Sequence, residues 1–114
     1  MSDCLFCKVV AGQIPAAIVF QNDHVLAFND ITPRAPTHVL IVPRRHIASL
    51  NELGPDDDAL VGEMVRAAAA IAKDQGLADR GYRTVFNCNA DAGQTVFHIH
   101  LHLIGGRSLG WPPG

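Results

Sequence analysis

Three histidines separated by single apolar residues stand near the C-terminal end of the chain, in the run Gly93-Gln94-Thr95-Val96-Phe97-His98-Ile99-His100-Leu101-His102-Leu103-Ile104-Gly105. A strand turns successive side chains to opposite faces. The run would therefore set His98, His100 and His102 on one face and Phe97, Ile99, Leu101 and Leu103 on the other. An imidazole titrates near pH 6.5 when unperturbed, so such a group can supply a neutral nucleophile, a proton donor or a metal ligand at ordinary pH.

A purely structural face fits poorly, because three buried imidazoles each need a partner and an exposed strand face more often carries Lys, Thr or Glu. Two chemical readings stand: chelation of an ion by alternate histidines, and nucleophilic attack by the middle imidazole with its neighbours setting tautomer and proton supply. The small-residue turn Asp91-Ala92-Gly93-Gln94-Thr95 just ahead can direct backbone N–H groups at an anion, which would place a phosphate beside the imidazoles.

Cys4-x-x-Cys7 is half of a tetrahedral zinc site. The redox alternative belongs to a βαβ context that this chain lacks. The two missing ligands are sought among the histidines, with His46 and an edge member of the triad preferred; spacing does not choose the member. Cys88, with the apolar Val85 and Phe86 nearby, reads as a buried, inert thiol.

The elements that must position these groups follow from punctuation and periodicity. Leu5 to Ala11 reads as a short helix stopped at Gly12. Ala17 to Phe20 and Val25 to Phe28 read as hairpin strands, and His38 to Val42 as a buried strand stopped by Pro43. Pro55 and the acidic Asp56 to Asp58 open a helix whose stripe Leu60, Met64, Ala67, Ala68 and Ile71 faces a sheet, with a stop at Gly76. Tyr82 to Asn87 reads as a strand, Ala90 to Gln94 as a turn, and Val96 to Ile104 as the strand carrying the histidines. The class is α+β, with a mainly antiparallel sheet.

Composition bounds the rest. The 114 residues suit one domain over 1–114, and 48% apolar with 18% charged residues fits a packed core. A formal charge of −2, with Arg44-Arg45 the only adjacent cations, disfavours a nucleic acid polymer as partner. No run approaches a membrane span or a secretion signal, so a cytoplasmic protein that does not engage a membrane is expected.

The triad His98-Ile-His-Leu-His-Leu-Ile104 resembles the signature of the histidine-triad (HIT) family, specifically its Hint branch of nucleoside phosphoramidases. The likeness runs through Ile14-Pro15-Ala16, Leu26-Ala-Phe28, Asp30-Ile31, Ala35-Pro-Thr-His38, Val42-Pro43, Gly81-Tyr82-Arg83, Gly93-Gln94-Thr95-Val96 and Trp111-Pro-Pro-Gly114. The resemblance implies a five-stranded antiparallel sheet with one long helix and a short N-terminal helix, paired as a homodimer. It implies a purine nucleoside phosphoramidate or aminoacyl adenylate as substrate, with His100 forming a nucleotidyl-histidine intermediate and AMP or GMP released. His102 would contact the phosphate and help protonate the leaving amine, while His38 would steady the triad. The transferase branch carries Gln where this chain has His102, which points to hydrolysis.

By the same resemblance, Asn87, Gly93, Gln94 and Thr95 surround the phosphate and Asp30 binds the ribose. Phe6, Val9, Phe28, Asn29 and Ile31 form the base-binding wall. Cys4, Cys7, His46 and His98 would hold a structural zinc ion, leaving the chemistry to His100 and His102. Dinucleoside polyphosphate hydrolysis and a zinc-stabilised nucleotide-binding module without turnover are the alternative readings.

Overall fold

The computed structural model describes residues 3–114; Met1 and Ser2, where the expected domain starts, lie outside the described residues. A short helix α1 (Leu5–Val10) precedes a hairpin of β1 (Ile18–Gln21) and β2 (Val25–Asn29), followed by β3 (Thr37–Pro43). The long helix α2 (Asp58–Asp74) comes next, then β4 (Tyr82–Val85), the single helical turn α3 (Asn89–Ala92) and β5 (Leu101–Gly105). The five strands form one antiparallel sheet in the order β1-β2-β3-β5-β4. The architecture is α+β, with a five-stranded antiparallel sheet, one long helix and a short N-terminal helix.

Alternation along β3 divides the molecule. Val39 and Ile41 face α2 and pack with Met64, Ala67, Ala68, Ile71 and Ala72, together with Ile99, Leu101 and Leu103. Leu40 and Val42 face the other way, into a smaller cluster with Leu26, Phe28 and, from α1, Phe6 and Val9. His38 belongs to this second side by parity, and the register sets Phe28 opposite Leu40 and Leu40 opposite His102. One face of the sheet thus packs on α2, and the other carries His38 and His102 beside the smaller cluster that includes α1.

The regular strand is shorter than the expected Val96 to Ile104 and carries only His102 of the triad; His98 and His100 stand in the irregular segment before it, so strand alternation does not set all three imidazoles on one face. β3 ends at Pro43, whose carbonyl accepts from His98 Nε2, and the Ile99 N–H goes to the Ile47 carbonyl in the irregular segment beyond. With no continuing strand to pair against, only Leu101–Gly105 enters the ladder. Phe97 consequently leaves the apolar row and is half exposed. Tyr82 to Asn87 likewise shortens to Tyr82–Val85, and the expected turn at Ala90 to Gln94 contains the helical turn α3, closed by Gly93 at φ 84°. Cys88 is half-buried rather than enclosed. Pro55–Asp57 form a 3₁₀ turn ahead of α2, in which the Asp57 carboxylate accepts from the Gly54 N–H and from Arg45.

Candidate active site and metal centre

His100 and His102 line a cavity of about 340 Å³ between α1 and the sheet. His98, His100 and His38 are buried, and the His100 and His102 ring centroids are 5.0 Å apart. Nine of the expected substrate-binding residues line the cavity: Phe6, Val9, Phe28, Asn29, Asp30, Ile31, Thr95, His100 and His102. Leu5, Ile14, Pro15, Ala16, Leu40 and Val96 line it too, and were not anticipated. Leu40 was legible in principle, since it shares the parity of His38 and Val42 on β3; the loop residues carried no such signal.

Asn87, Gly93 and Gln94 do not line the cavity. The Gln94 side chain is committed within the fold. Its Nε2 donates to the carbonyls of Ala48 (2.8 Å) and Val96 (3.1 Å), and its Oε1 accepts from the Asn89 N–H (2.8 Å). The buried amide ties its own loop, at Val96, to the start of α3 and to Ala48, and thereby sets where Thr95 stands.

Backbone partners fix the tautomers, because a backbone N–H can only donate and a carbonyl can only accept. His100 Nδ1 donates to the His98 carbonyl at 2.8 Å, so Nε2 keeps its lone pair. His38 Nδ1 accepts from the Arg34 N–H at 3.0 Å, which puts the proton on Nε2, and this donates to His102 Nδ1 at 2.9 Å. His102 therefore carries its proton on Nε2. One ring offers a lone pair and its neighbour an N–H, both lining one cavity.

Charge states agree with this arrangement. Burial lowers the pKa of His100 below its usual value, against the opposing pull of its bond to the His98 carbonyl and of Asp30. Burial, with His100 and His38 adding to it, pushes His102 down to about 4. His38 is also lowered, chiefly by burial, although Asp30 Oδ2 lies 3.4 Å from its Nε2 and pulls the other way. All three rings are thus neutral near pH 7, the state in which His100 is nucleophilic. Asp30 Oδ1 accepts from the Thr32 N–H, and the carboxylate still has acceptor capacity facing the cavity.

Behind His100 a second cluster forms. One ligand atom from each of Cys4, Cys7, His46 and His98 lies within 4.8 Å of the others, so the group could hold a metal ion. His98 Nε2 donates to the Pro43 carbonyl at 2.8 Å, which leaves Nδ1 as a bare lone pair. That nitrogen is 3.4 Å from Cys4 Sγ, 3.5 Å from Cys7 Sγ and 3.3 Å from His46 Nδ1. Tetrahedral ligands at about 2.3 Å for sulfur and about 2.0–2.1 Å for nitrogen stand roughly 3.3–3.8 Å from one another. The donor set and its spacing therefore fit a metal, and the Pro43 carbonyl holds the His98 ring as an outer partner would.

Comparison with known proteins agrees with the geometry. A family model described as "Scavenger mRNA decapping enzyme C-term binding" matches residues 3–110. An uncharacterised HIT-like protein of Synechococcus elongatus is 48% identical over 112 residues, 98% of this chain and 97% of its own. The purine nucleoside phosphoramidase of Escherichia coli is 45% identical over 108 residues, 95% and 91% of the two chains. A HIT family hydrolase structure from Legionella pneumophila superposes with a TM-score of 0.97 at 52% identity, covering 98% of this chain and all of that one.

Proposed function

The chain belongs to the histidine-triad family of hydrolases, and from that premise we propose that it cleaves the P–N bond of purine nucleoside 5′-phosphoramidates, or the acyl-phosphate bond of aminoacyl adenylates. The observation that carries the reading is the pair of opposed tautomers: His100 with an Nε2 lone pair and His102 with an Nε2–H line the same cavity. The cavity walls suit the substrate. Phe6, Val9, Phe28 and Ile31 offer apolar surface to a flat base, and Asp30 can accept from ribose hydroxyls.

In the first step His100 Nε2 attacks phosphorus, forming a P–N bond to the ring as the bond to the leaving amine breaks. His102 Nε2–H donates a hydrogen bond to the departing amine, which takes its proton from the co-substrate water and leaves hydroxide, while His38 Nε2–H, donating to His102 Nδ1, holds the ring. That hydroxide then attacks the nucleotidyl-histidine, the P–N bond to His100 breaks, and the nucleoside monophosphate leaves with His100 restored to its neutral form. Splitting one displacement into two replaces a high barrier with two lower ones. Gly93 and Gln94 shape the loop that carries Thr95 to the phosphate, and Asn87 stands near it.

Zinc is the metal that two sulfurs and two imidazole nitrogens favour, held by Cys4, Cys7, His46 and His98. Once bound, it supplies a structural cross-link between α1 and the triad segment. The exposed edge of β4, at the end of the sheet with Tyr82 partly exposed, supports pairing with a second copy as a homodimer. Sedimentation velocity should give twice the chain mass.

Incubation with adenosine 5′-phosphoramidate should release AMP, and His100→Ala should lower turnover by orders of magnitude. Normal turnover by that variant would remove His100 from the mechanism.

A further inference from the structure

We propose that Phe6 is a positioning residue for His100 and couples the sulfur–imidazole centre to nucleotide binding, so that metal and nucleotide each tighten the other's site. The proposal rests on the reading of the cavity as a nucleotide site and deepens it. Its basis is that the two sites share one short element. Phe6 sits between Cys4 and Cys7 in sequence, and its ring lines the cavity.

The ring is also the packing partner of both kinds of histidine. It meets His100 edge-on, with centroids 5.0 Å apart and planes at 86°, and meets His98 at 6.1 Å and 76°. A third edge contact, 5.5 Å to Phe28, closes the cavity wall. Phe6 is thus the side chain through which a shift of α1 reaches the attacking imidazole.

A helix of six residues does not hold itself together, since isolated helices below about 12–15 residues are marginal in water. Two things anchor α1. Cys4 caps its first turn, its Sγ accepting from the Cys7 N–H at 3.4 Å, and both thiols converge on His98 and His46. The other anchor is the burial of Phe6 and Val9, one helical step apart, against Leu26, Phe28, Leu40 and Val42. A metal at the four donors fixes the N-terminal end of α1, and with it the Phe6 ring over His100. A nucleotide base against Phe6 and Val9 fixes the same helix from the cavity side. Two ligands that each order one element bind cooperatively, and the coupling is reciprocal.

The test measures zinc affinity by competition with a chromogenic chelator, with and without saturating AMP, on the full chain. AMP should tighten zinc by about fivefold or more, within the usual range for such coupling. Phe6→Ala should bring that ratio to within about twofold while keeping one zinc per chain. A cobalt-substituted protein gives a second readout that needs no metal-free state: AMP should shift the visible bands of the wild type and leave those of Phe6→Ala unmoved. AMP binding with unchanged zinc affinity and an unchanged cobalt spectrum overturns the coupling alone. Equal coupling in Phe6→Ala overturns the role of Phe6. A protein that binds zinc but not AMP overturns the nucleotide-site reading, and the coupling falls with it.

Discussion

Replacing His38 by Ala tests the hydrogen-bond relay that sets the His102 tautomer. In the intact protein the Arg34 N–H holds His38 Nδ1 at 3.0 Å, and His38 Nε2–H holds His102 Nδ1 at 2.9 Å. Without His38, nothing prevents His102 from carrying its proton on Nδ1 or turning its ring. One neutral hydrogen bond is worth about 1–1.5 kcal/mol net, which corresponds to a fall in kcat of about five- to thirteenfold. His102→Ala removes the N–H that assists the leaving amine outright and should cost about 10²- to 10⁴-fold. Because His38 acts only through His102, the double variant should be no slower than His102→Ala alone, within about twofold. The loss of a buried ring beside the Arg34 N–H should also destabilise the fold by about 1–3 kcal/mol, read from urea midpoints. Steady-state AMP release from adenosine 5′-phosphoramidate gives kcat and KM for all four proteins. Multiplicative losses in the double variant would show that His38 has a role of its own, and the relay would be wrong.

Three further outcomes follow from the site. Depressed histidine pKa values mean that His100 and His102 are both neutral at pH 7 and protonate below 6.5, His102 at about 4, so the acid limb of kcat/KM should lie below pH 6.5; an acid limb centred at 6.5 would contradict the burial of the pair. Removing the metal with a chelator, or substituting Cys4→Ser, should lower the thermal midpoint through a loss of several kcal/mol, and a metal-free protein that melts at the same temperature would remove the proposed centre. Gln94→Ala strips the Asn89 N–H and the Ala48 and Val96 carbonyls of their buried partner. It should cost about 2–3 kcal/mol in denaturant melts and raise KM through displacement of Thr95, whereas an unchanged melt would show that water replaces the amide.

The parts of the fold legible in the sequence were those governed by periodicity. Met64, Ala67, Ala68 and Ile71 mark the buried stripe of α2 at helical spacing, and the structure buries all four. Pro43 marks the end of β3, but its consequence lay elsewhere: losing β3 as a partner ended the ladder before His98, which no local pattern in the triad run announces. The convergence of Cys4 and Cys7 on His46 and His98 depends on the crossing of three distant segments, so spacing could name the cysteines and not their partners. Gln94 is the clearest limit. Its position beside the triad looks like a phosphate contact, and only the three-way bonding of its amide shows that it builds the loop.

The central claim is that His100 Nε2 bonds to phosphorus during turnover. Rapid quenching of the protein with adenosine 5′-phosphoramidate, followed by intact-mass and peptide mass spectrometry under non-acidic conditions, reads this directly. The account predicts a transient adenylyl adduct on the peptide containing His100, formed and lost at rates that support turnover and absent from His100→Ala. Full turnover with no adduct at any quench time, or an adduct mapped to His102 or His98, would contradict it.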